Sequence, residues 1–435
     1  MKRSNELIKK AEQYIAGGVV SLNRKVTPHI VFERGEGSKL YDSQGNTYID
    51  YHAAFAPHLL GHNYEPVNKA VAKAMKESWS LFGSGTNHWE QELSELLCTT
   101  IESLDQVQIT NTGSEATAHA IRVSRAYTGR DHIVLMLGGY NGWHNEVARA
   151  VMPSLEQVGE RKVKDEYPFI PLSAGIPEST KRKIHIINFN DLESLEAMLK
   201  KYPIACVLTE PALQNIGVVH PQTDYLNQMI KLCEAHGTVC IFDEVKTGFR
   251  TGIQGYQGLE GLKPHLSVFG KAIANGYPLG VIGGKKEIME LFYTNDIAKR
   301  VLIAGTYNAH PFNTAAAIAT IKILKNENVY EHLEQMGSYL KNGLLDLFKE
   351  FGIQVSIARN GSASCVYFMD HLPVDLHDIL ENNNIAFDRT FRTELIHQGI
   401  YQIPIPCKQA SISYAHTQKD LDLTLEATRN FLKNI

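Results

Sequence analysis

The sequence predicts an α/β protein with a mainly parallel central sheet that helices cover on both faces. From about Val107, short apolar segments alternate with amphipathic ones, as in "DLESLEAMLKKY" and "DYLNQMIKLCEAHG". Apolar runs of this length, without polar alternation, are typical of strands buried on both faces of a parallel sheet. The predicted strands are "VQIT", "IVLML", "ACVLTEP", "VCIFDEV" and "LSVFGK".

Three regions are predicted along the chain. Residues 1–60 form an N-terminal helix followed by short strands and Gly-rich turns. Residues 61–310 form the large α/β domain. Residues 311–435 begin with an Ala-rich helix, continue through short strands and end in the helix "QKDLDLTLEATRNFL", which indicates a smaller α+β C-terminal domain.

Composition and charge limit the classes of partner. The 435 residues include 43 Lys and Arg against 47 Asp and Glu, for a net charge of -4. Without a run of like charge, neither a nucleic-acid surface nor a polybasic membrane patch is expected, and the partners are small molecules. The six cysteines are scattered along the chain, and we therefore expect reduced thiols. No apolar window reaches eighteen residues and the N-terminus is charged, so we expect a cytoplasmic location.

Four side chains are predicted at the carboxyl ends of strands, where an open α/β sheet binds its ligands: Thr112, Glu210, Asp243 and Lys271. In "IFDEVKTGFR" the acidic Asp243 directly follows apolar Ile241 and Phe242. A carboxylate at the end of a buried strand is costly unless a cation or a strong donor meets it. Asp243 is therefore expected to have such a partner.

A phosphate site is predicted where "QIT" leads into the helix of "NTGSEATAHAIRVSRAYTG". Thr112 and Glu115 have capping-box spacing, and Gly113 permits close backbone approach. Taken alone, this pattern favours an ordinary capped helix. Lys271 follows another apolar strand, and it is either a surface lysine or an amine that forms a Schiff base.

The combination of these features predicts pyridoxal 5'-phosphate as the cofactor. Its ring nitrogen must be held protonated by a carboxylate if the ring is to accept electrons. Asp243 would then meet the pyridinium, and Tyr140 in "LGGYNGW" could supply a stacking face.

The chain resembles the class III aminotransferases of fold type I, and among them the glutamate-1-semialdehyde 2,1-aminomutases most. The resemblance extends over nearly the whole length and rests on six motifs in the family's order: "NTGSEA", "GGYNG", "EPALQNIGVV", "FDEVKTGFR", "GKAIANGYPLGVIGG" and "GTYNAHPFNTAAA". It implies the fold type I transferase architecture and a homodimer with composite active sites.

The resemblance also implies roles for individual residues. Gly113 and Ser114 would bind the phosphate, together with Thr306 of the other subunit. Tyr140 and Val245 would lie on the two ring faces, Asn215 near the phenolic oxygen, Asp243 at the ring nitrogen, and Lys271 would form the Schiff base. Ser21 and Arg24, in "AGGVVSLNR", would bind the substrate, since an Arg fork suits a carboxylate.

Two departures from the aminomutase pattern bear on the reaction. Lys408 stands where the aminomutase has a Glu, and the segment from Pro153 to Pro177 differs from its gating loop. An aminomutase must retain its intermediate, so these changes favour an aminotransferase that moves an amino group from a carboxylate-bearing amine to a keto or aldehyde acceptor and releases its product. Glutamate-1-semialdehyde 2,1-aminomutase is the alternative.

Other classes of function fit the sequence less well. The glycines of "LGGYNG" lack the G-x-G-x-x-G spacing of a nicotinamide site, and no P-loop is present. His58 and His62 are four residues apart but flank "LLG" before a turn, which is weak support for a metal site. A non-catalytic binding protein would have no use for both Asp243 and Lys271, because buried charges are costly without a partner.

Overall fold

The computed structural model describes residues 2–435, and the chain divides into two compact units. The first unit comprises the chain up to Glu65, Glu331–Leu372 and Asn384–Ile435. The second unit comprises Pro66–Tyr330 and Pro373–Asn383. The predicted division at residues 60 and 310 into three regions stays a prediction.

The helices follow one another along the chain with short 3-10 turns between some of them. They are α1 (Lys2–Tyr14), α2 (Glu65–Lys76), α3 (His88–Thr100), α4 (Gly113–Thr128), α5 (Leu155–Val158), α6 (Glu178–Lys181), α7 (Leu192–Lys201), α8 (Tyr225–Ala235), α9 (Gly255–Leu259), α10 (Lys286–Met289), α11 (Pro311–Asn326), α12 (Val329–Glu350), α13 (Leu376–Asn382), α14 (Ile385–His397) and α15 (Gln418–Leu432). The 3-10 turns are Ala16–Gly18, Leu22–Arg24, Lys271–Ala274 and Glu290–Phe292.

The strands are short. They are β1 (Phe32–Glu36), β2 (Lys39–Asp42), β3 (Thr47–Asp50), β4 (Gln106–Thr110), β5 (His132–Met136), β6 (Ile184–Ile187), β7 (Ile204–Thr209), β8 (Val239–Glu244), β9 (Leu266–Phe269), β10 (Gly280–Gly284), β11 (Ser356–Asn360), β12 (Ala363–Tyr367), β13 (Ile400–Tyr401) and β14 (Ala410–Ser411).

The second unit is built on a seven-stranded sheet within the described residues, in the order β4-β10-β9-β8-β7-β5-β6. Strands β9, β8, β7, β5 and β6 are parallel, whereas β10 is antiparallel to both β4 and β9. Because β10 is antiparallel to both of its neighbours, β4 runs in the same direction as the five parallel strands. The prediction of a mainly parallel α/β sheet is therefore confirmed.

The central strands are buried along their whole length. Every residue of β7 and β8 is buried, including Asp243 and Glu244 at the end of β8. Helices α7 and α8 follow their predicted positions and bury Leu195 and Met229 on their apolar faces. Continuous burial explains why these strands are apolar throughout until the residues that reach the carboxyl edge of the sheet.

Strand β10 depends on glycine for close packing. A Cβ on Gly280 would lie 2.3 Å from the carbonyl oxygen of Thr112, and one on Gly284 would lie 2.2 Å from that of His265. Backbone therefore approaches backbone at both ends of this strand, which a side chain would prevent.

The first unit contains two smaller sheets, in the orders β1-β2-β3-β13 and β11-β12-β14. The N-terminal strands β1 to β3 pair antiparallel with one another, and β13 joins β3 in parallel. Tyr48, Ile396 and Tyr401 form a buried cluster beside this sheet. The N-terminal strands thus share a core with residues from the C-terminal third of the chain.

No helix in residues 2–435 is both long and apolar enough to cross a membrane.

Candidate active site

Helix α4 starts at the carboxyl end of β4. Thr112 is its N-cap, and the side chain of Thr112 accepts a hydrogen bond from the backbone N–H of Glu115 at 3.2 Å. The carboxylate of Glu115 accepts from the backbone N–H of Asn111 at 2.8 Å, one residue before the position that a capping box would use. Gly113 and Ser114 are the first two residues of α4, where N–H groups precede the helix's own hydrogen bonds and can hold an anion.

Asp243 lies at the end of β8 and is 2% exposed. Its Oδ1 accepts from the backbone N–H of Val245 at 3.1 Å, and its Oδ2 accepts from Asn141 Nδ2 at 2.8 Å. Burial, and then the negative charge of Glu210, raise the pKa of Asp243 to about 7, against the effect of both hydrogen bonds and of Lys271. The carboxylate therefore lacks a full counter-charge within this chain.

Val245, which directly follows β8, contacts two other parts of the site. A Cβ on Gly113 would lie 2.7 Å from Val245 Cγ2, and one on Gly270 would lie 3.3 Å from Val245 Cγ1. The side chain of Val245 thus lies against the first residue of α4 and against the residue before Lys271. The structure brings the predicted phosphate-binding residue and a predicted ring-face residue into direct contact.

Lys271 follows β9 after Gly270 and begins a 3-10 turn. Its φ is 48°, in the left-handed region that a residue with a Cβ rarely adopts. Such strained residues cost about 1–3 kcal/mol each and cluster at functional sites. The side chain is half-buried, and burial lowers the pKa of its amine, with Asp243 and Glu210 acting in the opposite direction.

Glu210, just past the end of β7, organises the neighbouring loops. Its Oε1 accepts from the backbone N–H of Tyr140 at 3.0 Å and from Asn215 Nδ2 at 2.9 Å. Its Oε2 accepts from the backbone N–H of Gln214 at 2.9 Å. Glu210 therefore fixes the positions of Tyr140 and Asn215, two of the predicted cofactor-binding residues.

The loop after β5, which carries Tyr140, approaches the start of α4 closely. The pKa of Tyr140 is raised by burial and by the charge of Asp243, which places the phenol in the electrostatic reach of that carboxylate. Gly142 has φ of 125°, and a Cβ there would lie 2.9 Å from Ser114 Oγ. The loop after β5 consequently packs against the start of α4.

The remaining predicted residues are placed differently. Thr306 is exposed, in the stretch between Val301 and α11. Ser21 is half-buried and Arg24 is exposed, both at the Leu22–Arg24 turn of the first unit. Their roles toward the partner's phosphate and the substrate stay predictions.

Two residues of the site carried no functional prediction. Asn141 contacts Asp243 directly, and Arg149 donates from Nη2 to the carbonyl of Met136 at 2.6 Å while lying 3.5 Å from Asn141 Oδ1. Asn141 lies inside the quoted motif "GGYNG", so its place beside Tyr140 was a usable signal. Arg149, eight residues further along, has no pattern that marks it.

The arrangement fits pyridoxal phosphate. Asp243 is a buried carboxylate without a full counter-charge, which a protonated ring nitrogen would supply, and Lys271 is a half-buried amine whose pKa is lowered. Gly113 leaves the start of α4 free of side-chain bulk, where a phosphate would find backbone N–H groups. No group of three or more His, Cys, Asp or Glu suited to a metal ion occurs in the part of the chain that is described.

Comparison with known proteins identifies the class. The family model for aminotransferase class-III matches residues 21–404, so the chain belongs to the class-III aminotransferases. It is 35% identical over 437 residues to the glutamate-1-semialdehyde 2,1-aminomutase of Sulfurihydrogenibium azorense, with 99% of each chain covered.

Solved structures agree with this class. An omega-transaminase from Sphaerobacter thermophilus has a TM-score of 0.90 at 26% identity, covering 99% of this chain and 97% of that one. The pyridoxal-phosphate internal aldimine form of the Sphingopyxis sp. MTA144 FumI protein has a TM-score of 0.84 at 25% identity, covering 100% and 96%. The fold type I architecture, the enzyme class and pyridoxal 5'-phosphate as cofactor, all predicted from the sequence, are confirmed.

Proposed function

We propose that this enzyme is a glutamate-1-semialdehyde 2,1-aminomutase, which moves the amino group of its substrate to the neighbouring carbon. The support for this reaction is the 35% identity to a relative of that name over 99% of both chains. The support for amino-group chemistry is the pairing of a buried carboxylate, Asp243, with a half-buried amine, Lys271, across the ends of adjacent strands. From the sequence alone, this reaction was the alternative to transamination with release of product. The comparisons favour the aminomutase.

The cofactor and the protein divide the chemistry. Bound pyridoxal phosphate supplies an electron sink for the bond that breaks at the carbon bearing nitrogen. Asp243 would hold a proton at the ring nitrogen, and the first N–H groups of α4, at Gly113 and Ser114, would bind the phosphate. Tyr140 and Val245 would lie against the two faces of the ring, and Glu210 fixes Tyr140 and Asn215 through the hydrogen bonds described above.

Lys271 is the group that moves protons. Because burial lowers the pKa of its amine, a larger fraction is neutral near pH 7 than for an exposed lysine, and a neutral amine can take a proton from carbon. Arg24 and Ser21 would bind the substrate carboxylate.

A homodimer is part of the proposal. Large apolar side chains remain exposed in the segment around Thr306: Tyr293 is 72%, Ile297 80%, Leu302 69% and Tyr307 60% exposed. Such a concentration is typical of a surface that another protein covers. A second subunit on this surface would bring Thr306 to its neighbour's phosphate.

Transamination with release of product is the second candidate. It is favoured by Lys408, which reverses the charge of the residue that the aminomutases carry, and by the likeness to an omega-transaminase at a TM-score of 0.90. Lys408 is half-buried in the first unit.

One assay separates the two candidates. The purified enzyme is given glutamate 1-semialdehyde alone, and separately a panel of amino donors paired with keto acids. The aminomutase predicts 5-aminolevulinate from the first mixture and little turnover in the panel. Rapid turnover of a donor and acceptor pair, with no 5-aminolevulinate, would replace the proposal by the second candidate.

A further inference from the structure

Asn141 is hydrogen-bonded to the carboxylate that faces the cofactor's ring nitrogen in the proposed site. Its Nδ2 donates to Asp243 Oδ2 at 2.8 Å, and Asn141 is 3% exposed. The other carboxylate oxygen, Asp243 Oδ1, accepts a hydrogen bond from the backbone N–H of Val245. Asn141 therefore supplies the side-chain donor that meets Asp243 from the loop after β5.

The orientation of the Asn141 amide is fixed from its other end. Arg149, itself 3% exposed, places Nη2 3.5 Å from Asn141 Oδ1. A flipped amide would turn its NH₂ group toward this guanidinium and its oxygen toward the carboxylate of Asp243, which are two repulsive contacts. Thr117 Oγ1 also donates to the backbone carbonyl of Asn141 at 2.7 Å, so the backbone is held as well.

Glycine makes this arrangement possible. A Cβ on Gly139 would lie 3.3 Å from Arg149 Nη2 and 3.8 Å from Asn141 Oδ1. The guanidinium thus lies close over the backbone of the "GGYN" turn, and it is anchored there by the carbonyl of Met136 at 2.6 Å.

The charges around Asp243 explain why a donor is needed. Glu210 faces it from the end of β7 and favours its protonated form, as does burial, while Lys271 faces it from the end of β9 and favours the ionised form. Tyr140 faces it as a neutral phenol, and Glu210 also acts on Arg149. If the carboxyl kept the proton, the ring nitrogen would lose it, and the ring would be a poorer electron acceptor.

We propose that Asn141 is a positioning residue that, oriented by Arg149, keeps the Asp243 carboxylate ionised and thereby keeps the proton on the ring nitrogen of the cofactor. This inference rests on the proposed role of Asp243 and is independent of which amine the enzyme uses. A hydrogen bond to an ionised group stabilises the charged form, so its loss moves the shared proton toward the carboxyl.

The test is ¹⁵N NMR of the holoenzyme loaded with pyridoxal phosphate labelled at the ring nitrogen. In the wild type the nitrogen signal is that of a protonated ring. In Asn141→Leu we expect the ratio of protonated to unprotonated ring nitrogen to fall about tenfold, the equivalent of one pKa unit. A carboxylic acid C=O band should appear in the infrared spectrum at the same time.

A second variant and a control keep the test decisive. Asn141→Ala also removes the donor and, like the Leu variant, adds no charge beside Asp243, so it should move the proton in the same direction. Asn188→Leu removes a comparably buried amide, which donates to the Tyr167 hydroxyl at 2.9 Å, and should leave the ring nitrogen unchanged.

The outcomes separate this inference from the proposed role of Asp243. If Asp243→Asn abolishes ring protonation while both Asn141 variants retain the wild-type ratio, the inference is wrong and the role of Asp243 stands. If Asp243→Asn itself leaves the ring protonated, the proposed role of Asp243 fails, and the inference fails with it.

Discussion

Asp243 and Glu244 are neighbours at the end of one buried strand, yet their carboxylates are bound in different ways. Glu244 accepts hydrogen bonds from the backbone N–H groups of Tyr256 and Gln257, both at 2.9 Å, and from the side chains of Thr247 and Gln257. Asp243 has one backbone donor and Asn141. Glu244 is a structural acid that holds the chain around Gly255, whereas Asp243 has capacity left for a cationic ligand.

The electrostatic position of Asp243 predicts a pH dependence of the cofactor-free protein. Its pKa rises from 3.8 to about 7 on folding, so between these values the unfolded chain has released a proton that the folded chain retains. Stability therefore falls as the pH rises through this window. Asp243→Asn should gain about 2–3 kcal/mol of unfolding free energy relative to the wild type between pH 5 and pH 8.

Urea denaturation at each pH measures this difference. Asp131→Asn is the control, since the Lys183 hydrogen bond lowers the pKa of the exposed Asp131 carboxyl and its removal cannot produce the same rise. A pH-independent difference between wild type and Asp243→Asn would show that Asp243 is already ionised without the cofactor.

The backbone angle of Lys271 predicts a contrast between two substitutions. Lys271→Gly relieves the left-handed strain and Lys271→Ala does not, so the cofactor-free Gly variant should be more stable by about 1 kcal/mol. Ala272, the next residue, does not have positive φ, and Ala272→Gly should instead destabilise by about 0.5–1 kcal/mol. Equal stability of the two Lys271 variants in thermal unfolding would argue against the strain.

The same variants test the amine itself. Both Lys271→Ala and Lys271→Gly should bind the cofactor noncovalently, so that denaturation releases it even after borohydride treatment. Both variants should also lose turnover. Lys285→Ala, which removes a lysine paired with Glu234 at 3.6 Å, should retain the cofactor covalently after reduction. Activity near the wild-type level in either Lys271 variant would end the proposed mechanism.

Close packing at Gly113 predicts a loss of cofactor affinity. Gly113→Ala would push its Cβ against Val245 Cγ2. Because overpacking of this kind costs about 1–3 kcal/mol, cofactor affinity should fall about 5- to 150-fold. Val245→Ala in the same chain removes the obstructing methyl groups and should restore much of the loss. Gly252→Ala is the control, since its nearest neighbour would be 3.8 Å away. Equilibrium titration of the cofactor-free protein gives these affinities.

The proposed composite site predicts the behaviour of a hybrid dimer. One subunit carries Lys271→Ala and the other Thr306→Glu, with separate tags for purification. If Thr306 acts on its neighbour's site, one site of the hybrid bears both changes and the other bears neither, so about half of the wild-type activity is expected. If Thr306 acts within its own subunit, both sites are defective and the hybrid should be nearly inactive.

The sequence predicted the strands that are apolar throughout because they are buried on both faces of the sheet. The apolar runs before Asp243 and Lys271 became β8 and β9, and their polar ends lie where the sheet rule placed them. Strand β10 was not predicted, because the glycine-rich segment "GVIGG" is typical of a turn. Its glycines serve close packing against Thr112 and His265, and such contacts depend on segments far away in the chain.

In the site, too, local features were predictable and long-range contacts were not. Thr112 was predicted as a helix cap from local spacing, and it caps α4, although the Glu115 side chain bonds to Asn111 rather than to Thr112. The contact between Asn141 and Asp243 joins residues 102 positions apart, and no local pattern specifies it. Local signals predicted which residues begin and end elements, and tertiary packing decided which of them meet.

The central claim is that this enzyme converts its substrate into the isomer that carries an amino group on the neighbouring carbon, without a second substrate. The direct measurement is the number of 5-aminolevulinate molecules formed per active site when the pyridoxamine form of the enzyme receives glutamate 1-semialdehyde, with no other amine or keto acid present. We predict many turnovers per site, in the absence of any second substrate. Formation of no more than one product molecule per site, or a requirement for an added amino donor, would contradict the claim and identify the enzyme as a transaminase that releases its product.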